Sequence, residues 1–394
     1  MTGKQRAKKP RKSTRTASTG KTASAGKTGR AKASTKPASA PTTMTADDQQ
    51  LGLIEEPPRP AVRRTGRRRR QPRRKSTVVI TGITGRLGQL LARRLHRQPH
   101  VRVIGIDRRS FHRKPRDVEH LQIDIRRKKC EELFRTEQVD VIFHLGLMHD
   151  PRQNPDEHHS WNLVGTQRVF EYAQRYRVPK VVLLSSADVY GPQADNPTFI
   201  GEDAPLLGAR RFPQIRDLIS VDMLSQSYFW KAPEIETVVL RPVHILGGVR
   251  NAMSKYLRMS RVPVLMGFDP MMQVIHEEDA VAATLLAATP GVRGVFNIVG
   301  PQALPLRKLI ALTGKQDLPV PHVIAPSVAD RLYKARLIDM PAAEIDFIRY
   351  PVTLDGSRAE KLLKFRAHYG VADAVASALR NQVFDGSVER AVSA

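Results

Sequence analysis

The sequence has a single cysteine, Cys130, among its 394 residues. One thiol can form neither an intrachain disulfide nor a thiolate cluster for a metal, so the sequence predicts no metal site and is typical of a reducing compartment. No apolar run approaches the ~20 residues that a membrane span requires, and the N-terminus lacks the apolar core of a signal peptide. We therefore expect a cytoplasmic protein with no membrane-inserted segment.

Acidic and aromatic residues are scarce at the N-terminus. Residues 1–46 contain twelve Lys and Arg but no Asp or Glu, and residues 1–75 carry 22 basic against 4 acidic side chains and no aromatic residue. Such a segment buries too little apolar surface to offset its ordering entropy, so it is predicted to be disordered. It attracts nucleic acid or another polyanion without sequence specificity, or else serves only as a solvated extension. The sequence leaves both interpretations open.

A glycine-rich stretch follows this tail and organises the rest of the chain. The strand-like run Thr77–Ile80 leads into three glycines spaced three apart, and leucines then recur at helical spacing. Gly82 is predicted to make the tight turn, Gly85 to let a pyrophosphate approach, and Gly88 to let the helix pack on the strand. The helix N-terminus adds a favourable partial charge. The stretch therefore predicts a dinucleotide-binding βα unit.

Strand-like and helix-like segments alternate along the next 170 residues. The predicted strands are Val101–Asp107, Leu121–Ile125, Val139–Gly146, Val181–Ser186 and Thr237–Pro242, and the predicted helices are Trp161–Tyr176 and Ile215–Trp230. This alternation predicts a doubly wound parallel sheet, an α/β Rossmann fold, with ligand at its carboxyl edge. Residues 76–246 would form this domain. Residues 247–394 would cap it, with strands returning to the main sheet and helices near Leu306–Leu312, Val328–Leu337 and Arg358–Leu363.

Polar residues at the predicted strand ends suggest how a dinucleotide is held. Asp107 ends the second strand 25 residues after Gly82, where a carboxylate accepts from the adenosine ribose and repels the 2′-phosphate of NADP. NAD is therefore favoured, although Arg108 and Arg109 offer charges that accept such a phosphate, and a solvated Asp107 is the alternative. Asp124 is placed to accept from the adenine amino group. His144, inside an apolar strand, is interpreted as a core histidine.

Several motifs, in order, resemble the extended short-chain dehydrogenase/reductases of the NAD-dependent epimerase/dehydratase type, which act on nucleotide sugars. The resemblance covers residues 76–370 and rests on Thr81–Gly88 (TGxxGxxG), His144–Leu147 (HLAA), Asn162–Thr166 (NxxGT), Ser185–Gly191 (SSxxVYG), Arg241–Pro242 (RP) and Ile275–Ala280 (HVxDxA). It implies Ser186 as the active-site serine. It assigns cofactor binding to Gly82, Thr84, Gly85, Arg86, Leu87, Gly88, Asp107, Arg108, Asp124, Ile125, Leu145, Gly146, Leu147 and Pro242.

One motif of the family is missing. The resemblance implies a Tyr-x-x-x-Lys pair on the helix after the fifth strand, and a spacing of four places both side chains on one helix face. The alignment puts Asp217 at the tyrosine position and Val221 at the lysine position. Tyr228 is the nearest substitute, but its spacing is wrong. A positioned acid or base contributes ~10²–10⁴-fold to rate, so we expect cofactor binding with weak or absent turnover.

Three functions therefore compete. The first is an enzyme that exchanges a hydride between NAD and a nucleotide sugar, using Asp217 or Tyr228 in place of the missing tyrosine. The second is a dinucleotide sensor or partner protein that has lost catalysis, and the third is a polyanion-associated protein dominated by residues 1–75. The resemblance favours the first and the missing pair favours the second. Whether the chain forms a homodimer stays open.

Overall fold

The computed structural model describes residues 74–112, 114–149, 154–210, 215–335 and 342–380. Of the predicted disordered tail, residues 1–73 lie outside this range. The strands are β1 (Ser76–Thr81), β2 (Val101–Asp107), β3 (Glu119–Gln122), β4 (Val141–His144), β5 (Lys180–Leu184), β6 (Glu236–Pro242), β7 (His244–Leu246), β8 (Arg261–Leu265), β9 (Met271–His276), β10 (Gly294–Ile298), β11 (Ala303–Pro305) and β12 (Gln316–Val320).

The helices flank these strands, and a tenth runs over residues 371–380. The first nine are α1 (Arg86–Leu95), α2 (Lys128–Thr136), α3 (Pro155–His159), α4 (Gly165–Arg175), α5 (Arg216–Lys231), α6 (Ala252–Arg258), α7 (Glu277–Ala287), α8 (Leu306–Ala311) and α9 (Ala325–Lys334). Short 3₁₀ turns cover Ala187–Val189, Gly208–Arg210 and Ala342–Ile348, and π turns cover Ser160–Val164 and Ala359–Leu363. None of the helices in the described ranges is long and apolar enough to cross a membrane.

A seven-stranded parallel sheet forms the centre of the fold, in the order β10-β6-β5-β4-β1-β2-β3. Its strands are nearly all apolar because helices cover both faces. The predicted doubly wound fold is therefore confirmed. The order reverses at β1, whose two neighbours are β2 and β4. A crevice at such a reversal, beyond the carboxyl ends of the strands, is where sheets of this kind bind ligands.

The C-terminal part of the chain builds two smaller sheets, β11-β9-β7 and β12-β8, and sends β10 back to the edge of the main sheet. Its own apolar cluster joins α6, α8 and α9 with these strands. Residues 342–348 lie between this cluster and the main core, because Ile345 packs in the former and Phe347 in the latter. The C-terminal part therefore reaches the carboxyl edge of the central sheet.

The predicted third strand was wrong in its position. β3 spans Glu119–Gln122 instead of Leu121–Ile125. The carboxylate of Asp124 accepts the backbone N–H of Arg126 at 2.9 Å, and Arg127 N–H donates to the carbonyl of Asp124 at 3.0 Å. These local bonds form a turn, and an Asp side chain that binds the backbone two residues on competes with strand pairing.

Further boundaries differ from the prediction, and β5 ends at Leu184 rather than Ser186. β4 ends at His144 rather than Gly146. The helix predicted from Trp161 begins earlier, at Pro155, because the side chain of Asn154 caps the N–H of Asp156 and proline suits the first helical turn. The chain then passes through the π turn Ser160–Val164 into α4. This early start adds a helical turn that carries two histidines beyond the sheet edge.

His144 is a buried core residue, as predicted. Its Nε2 lies 2.9 Å from the hydroxyl of Thr166, which donates its own proton to the carbonyl of Asn162 at 2.6 Å. Nε2 therefore carries the ring proton, and Nδ1 accepts from the hydroxyl of Thr81 at 2.6 Å. Burial lowers the pKa of His144 to about 4, so the imidazole is neutral and ties β4 to β1 and α4.

Candidate functional site

The glycine loop between β1 and α1 is packed so closely that a side chain is excluded at Gly82 and at Gly88. Gly82 has φ +71°, and a Cβ there would lie 2.6 Å from Cα of Gly146. A Cβ on Gly88 would lie 2.5 Å from the carbonyl oxygen of Gly82. α1 begins after Gly85 without a side-chain cap or an acidic residue in its first turn. Its first N–H groups therefore suit an anionic group such as a pyrophosphate.

Asp107, at the end of β2, is directed at this loop. Its Oδ2 accepts from the hydroxyl of Thr84 at 2.5 Å and from the Thr84 N–H at 3.2 Å, and its Oδ1 accepts from the N–H of Arg109 at 3.0 Å. Burial raises the pKa of Asp107, but the bonds from Thr84 and Arg109 outweigh burial, and the pKa ends below its usual value. A permanent carboxylate therefore borders the loop where a ribose would lie.

Asp124 is held by an arginine. Arg126 binds both of its carboxylate oxygens, with the shortest distance 2.6 Å from Nη2 to Oδ2. Burial raises the pKa of Asp124, but the bonds from Arg126 lower it by more. The pKa of Asp124 therefore lies below its usual value. An adenine amino group would therefore have to share this carboxylate with Arg126.

Trp161 forms a wall of the site that the motifs did not reveal. Its indole N–H donates to the carbonyl of Gly146 at 2.6 Å, and the guanidinium carbons of Arg108 and Arg126 lie 4.8 and 5.2 Å from its ring centroid. A narrow crevice runs beneath it, lined by Thr81, Gly82, Ile106, Asp107, Ile123, Ile125, His144, Gly146 and Trp161. The crevice has room for about one water molecule, so it borders the place where a flat base would lie and does not enclose it.

The glycine loop is also tied to the C-terminal part of the chain. Arg86 Nε and Nη2 bind the two carboxylate oxygens of Glu277 at 2.9 and 2.5 Å. Glu277 Oε2 also accepts the N–H of Gly248 at 2.8 Å. Arg86, a predicted cofactor residue, is thus engaged with α7. Leu87 packs beside Leu145 and Leu147 at the edge of the main core, and Pro242 ends β6 opposite Ile298.

Ser186 lies just after β5, at the same sheet edge. Its hydroxyl donates to Oδ2 of Asp188 at 2.9 Å and accepts the Asp188 N–H at 3.2 Å. The preceding serine, Ser185, donates to Asp222 at 2.7 Å, and Asp222 pairs with Arg241 inside the core. The Ser186 hydroxyl is therefore fixed on a rigid strand end.

The two predicted substitutes for the missing tyrosine point in different directions. Asp217, in the first turn of α5, accepts from His158 at 3.0 Å and from His159 at 2.8 Å. Tyr228 stacks on Phe170 with ring centroids 4.3 Å apart and is only 7% exposed. Burial raises the pKa of Tyr228, so its hydroxyl is a poor base. Tyr228 packs between α5 and α4 and is not brought to Ser186. Val221 is fully buried.

Two more titratable groups lie near Ser186. His149 follows β4 at the carboxyl edge of the sheet and is exposed. Glu344, from the 3₁₀ turn 342–348, has a carboxyl oxygen that is buried with no hydrogen-bond partner among the described residues. Within those residues, no group of three or more His, Cys, Asp or Glu is arranged to hold a metal ion.

The Glu344→Gln substitution is expected to stabilise the protein increasingly as pH rises from 4.5 to 8. Burial, and then the carboxylate of Asp188, raise the pKa of Glu344 from 4.5 to about 8. The folded chain keeps this proton between those values and the unfolded chain releases it, so stability is full below pH 4.5, falls as pH rises to 8 and is level above that pH. The variant removes a penalty of up to roughly 5 kcal/mol at pH 9.

Thermal or urea unfolding at pH 5, 7 and 9 measures this difference. The exposed Glu234→Gln is the matched control, expected to stay within ~0.5 kcal/mol of wild type at every pH. Equal stabilities of wild type and Glu344→Gln at pH 5 and pH 9 would show that Glu344 does not hold a proton in the folded state.

Comparison with known proteins places this site in a family. The model of the NAD dependent epimerase/dehydratase family matches residues 78–299. An uncharacterised protein of Mycobacterium tuberculosis is 27% identical over 315 residues, 77% of this chain and 83% of the relative. UDP-glucose 4-epimerase of Dictyostelium discoideum is 28% identical over 136 residues, covering 34% and 38% of the two chains.

Solved structures share the fold at low identity. MoeE5 in complex with UDP-glucuronic acid and NAD superposes with a TM-score of 0.63 at 19% identity, covering 79% of this chain and all of that one. UDP-glucose 4-epimerase of Thermotoga maritima, with UDP-glucose, gives a TM-score of 0.61 at 18% identity over 79% and 99% of the two chains. Both share the fold in which this chain places its glycine loop and the strand end that carries Ser186.

Proposed function

This chain belongs to the NAD-dependent epimerase/dehydratase family, and on that premise we propose that it binds NAD and exchanges a hydride with a nucleotide-sugar-like substrate by altered acid/base catalysis. The observation that carries the proposal is the loop Gly82–Gly88, which packs against Gly146 with no room for a Cβ at Gly82 or Gly88 and has the carboxylate of Asp107 beside it. NAD supplies a hydride acceptor, and this chain's residues supply the binding, orientation and proton transfer. The residues fit that cofactor.

The substrate class rests on the solved neighbours. MoeE5 was crystallised with NAD and with UDP-glucuronic acid or UDP-glucose. We assign the same ligand classes to this chain because Ser186 and Asp188 lie together at the carboxyl edge of its sheet, where sheets of this kind bind ligands. Identification by mass spectrometry of a nucleotide that copurifies with the full chain tests the cofactor half of the proposal.

We expect NAD to bind at least tenfold more tightly than NADP, about 1.4 kcal/mol. A 2′-phosphate would meet the charged carboxylate of Asp107, which its bonds to Thr84 and Arg109 keep ionised. Asp107→Ala should weaken NAD binding and bring the two affinities together. Calorimetric titration of both cofactors measures this, with the exposed Asp117→Ala as control. Tighter NADP binding by the wild type would mean that Arg108 and Arg109 control the site.

A non-catalytic dinucleotide sensor is the second candidate. The observation that favours it is the buried Val221 at the lysine position and the displacement of Tyr228 onto Phe170. This candidate predicts normal NAD affinity and no reduction of NAD by any nucleotide sugar. Measurement of NAD reduction separates the two functions, whereas cofactor binding alone does not.

The basic tail is proposed to bind nucleic acid or another polyanion without sequence preference. Its 22 basic and 4 acidic side chains in residues 1–75 support this. Each neutralised phosphate should add about 0.9 to the slope of log affinity against log salt concentration. A truncated chain should begin at Arg73, because Arg74 pairs with Asp140 at 2.6 Å in the folded part. The truncated chain should lose nucleic-acid binding and keep its NAD affinity. If it binds DNA as tightly as the full chain does, the binding belongs to the folded part.

A further inference from the structure

An aspartate alone is a poor replacement for the missing tyrosine. Asp217 is shorter than tyrosine by a ring, and its carboxylate faces α3 rather than the open sheet edge, because both of its oxygens bind histidines there. Proton transfer at the open sheet edge therefore needs a second group, which Asp217 holds by a hydrogen bond. The pair of histidines at the end of α3 is the place to look, since imidazole is the commonest general acid and base.

The two histidines differ in burial. The His158 side chain is 9% exposed, whereas that of His159 is 55% exposed. His158 lies on the inner side of α3, next to Asn162, whose amide binds both the N–H and the carbonyl of Met148 just beyond the carboxyl end of β4. Only His158 therefore combines contact with Asp217 and a position inside the site.

The hydrogen bonds determine where the ring proton of His158 lies. Nδ1 is 3.0 Å from Oδ2 of Asp217 and 3.3 Å from the amide nitrogen of Asn162. One of the two N–H groups of that amide donates to the carbonyl of Met148 at 2.8 Å, while Asn162 Oδ1 accepts the Met148 N–H at 2.7 Å. An ionised Asp217 can only accept, and its oxygen lies closer to Nδ1 than the amide nitrogen does, so Nδ1 carries the proton. Nε2 then presents a lone pair and has no partner among the described residues.

From this arrangement we infer that His158 is the general acid/base of the reaction and that Asp217 is the positioning residue that fixes its tautomer. The inference rests on the proposed function. Nε2 of His158 would take the hydroxyl proton of the substrate and become an imidazolium, and NAD, when bound, would supply the acceptor for the hydride that leaves the same carbon as it becomes a carbonyl. The Asp217 carboxylate stabilises that imidazolium. The reverse transfer returns both the proton and the hydride.

His158→Gln should lower kcat by ~10²–10⁴-fold, the usual contribution of a positioned base, while NAD affinity and KM change less than threefold. Asp217→Asn should lower kcat at least tenfold with KM unchanged, because an amide can donate to Nδ1 and move the ring proton to Nε2. The control is His96→Gln, which alters another His–Asp pair, 3.1 Å long and away from the site. Its kcat should equal that of the wild type.

The ring tautomer provides a readout that does not depend on turnover. Nitrogen-15 NMR of histidine-labelled wild-type protein should show His158 protonated on Nδ1, and Asp217→Asn should shift the proton to Nε2. A wild-type His158 protonated on Nε2 would overturn the inference even if His158→Gln fails to fold.

The kinetic outcomes separate this inference from the proposed function. Wild-type turnover that survives in His158→Gln would overturn the role of His158 and leave the proposed function standing. Failure of the wild type to bind NAD would overturn the proposed function itself, and bound NAD that no nucleotide sugar reduces would overturn both.

Discussion

Gly82→Ala is expected to lower NAD affinity by at least about 100-fold, roughly 2.7 kcal/mol. The added methyl group would lie 2.6 and 2.8 Å from backbone atoms of Gly146 and 2.9 Å from the carbonyl carbon of Leu145. Backbone atoms in a sheet cannot yield as a flexible side chain can, so β1 and β4 must separate beside the loop that we propose holds the pyrophosphate. Isothermal titration with NAD measures the loss.

Gly291→Ala separates this clash from simple backbone strain. Gly291 has φ +83°, close to the +71° of Gly82, yet a Cβ there meets nothing within 4 Å. An alanine in the left-handed region costs ~1–2 kcal/mol in both variants, but only Gly82→Ala crowds the glycine loop. Gly291→Ala should therefore lose stability and keep NAD affinity. Equal NAD affinities of Gly82→Ala and wild type would refute the assignment of the loop to the cofactor.

Asp222→Asn is expected to destabilise the folded chain by ~3–5 kcal/mol. Arg241 is 1% exposed and Asp222 is fully buried, with bonds of 3.0 and 2.7 Å between the guanidinium and the two carboxylate oxygens. The near-isosteric asparagine removes the negative charge without creating a cavity. Arg241 is then left as a buried cation whose remaining partners are the Tyr190 hydroxyl and the carbonyl of Glu202.

Urea unfolding of the full chain measures this loss, and Glu132→Gln provides the comparison. Glu132 pairs with Arg135 at 3.0 Å, but both side chains are more than 60% exposed. An exposed pair contributes at most about 1 kcal/mol, so this change should be nearly neutral. A cost for Asp222→Asn as small as that for Glu132→Gln would show that the Asp222 charge is not needed to hold β5, β6 and α5 together.

The fold was predictable where the determining interactions are local. β1, the glycine turn and α1 follow one another within about twenty residues, so strand character, glycine spacing and helical leucines all lie in one window of sequence. The predicted ends of β3 and the predicted start of the helix that leads into α4 were wrong, because side-chain hydrogen bonds determine these boundaries. Asp124 turns the chain by binding the backbone of Arg126, and Asn154 starts α3 earlier than the apolar pattern does.

Sequence motifs identify only the part of the candidate site that is proposed to hold the cofactor. Gly82 and Asp107 belong to motifs with fixed spacing, whereas Asp217 meets His158 across 59 residues of sequence. Glu344 reaches the neighbourhood of Asp188 from a segment with no recognisable motif. Such contacts depend on how α3, α5 and the 3₁₀ turn 342–348 pack, and periodicity within each segment carries no information on that packing. The sequence predicts Trp161 as the start of a helix and gives no sign that it forms a wall of the crevice.

The most direct test of the central claim is reduction of bound NAD by substrate. The full wild-type chain, loaded with NAD, is mixed with UDP-hexoses, UDP-hexuronic acids and dTDP-hexoses, and the absorbance of reduced nicotinamide is followed through a single turnover. The matching sugar 1-phosphates, which lack the nucleotide, serve as controls. We predict that at least one nucleotide sugar reduces the bound NAD and that its sugar phosphate does not. Saturating NAD binding without reduction by any of them would contradict the account and favour the non-catalytic sensor.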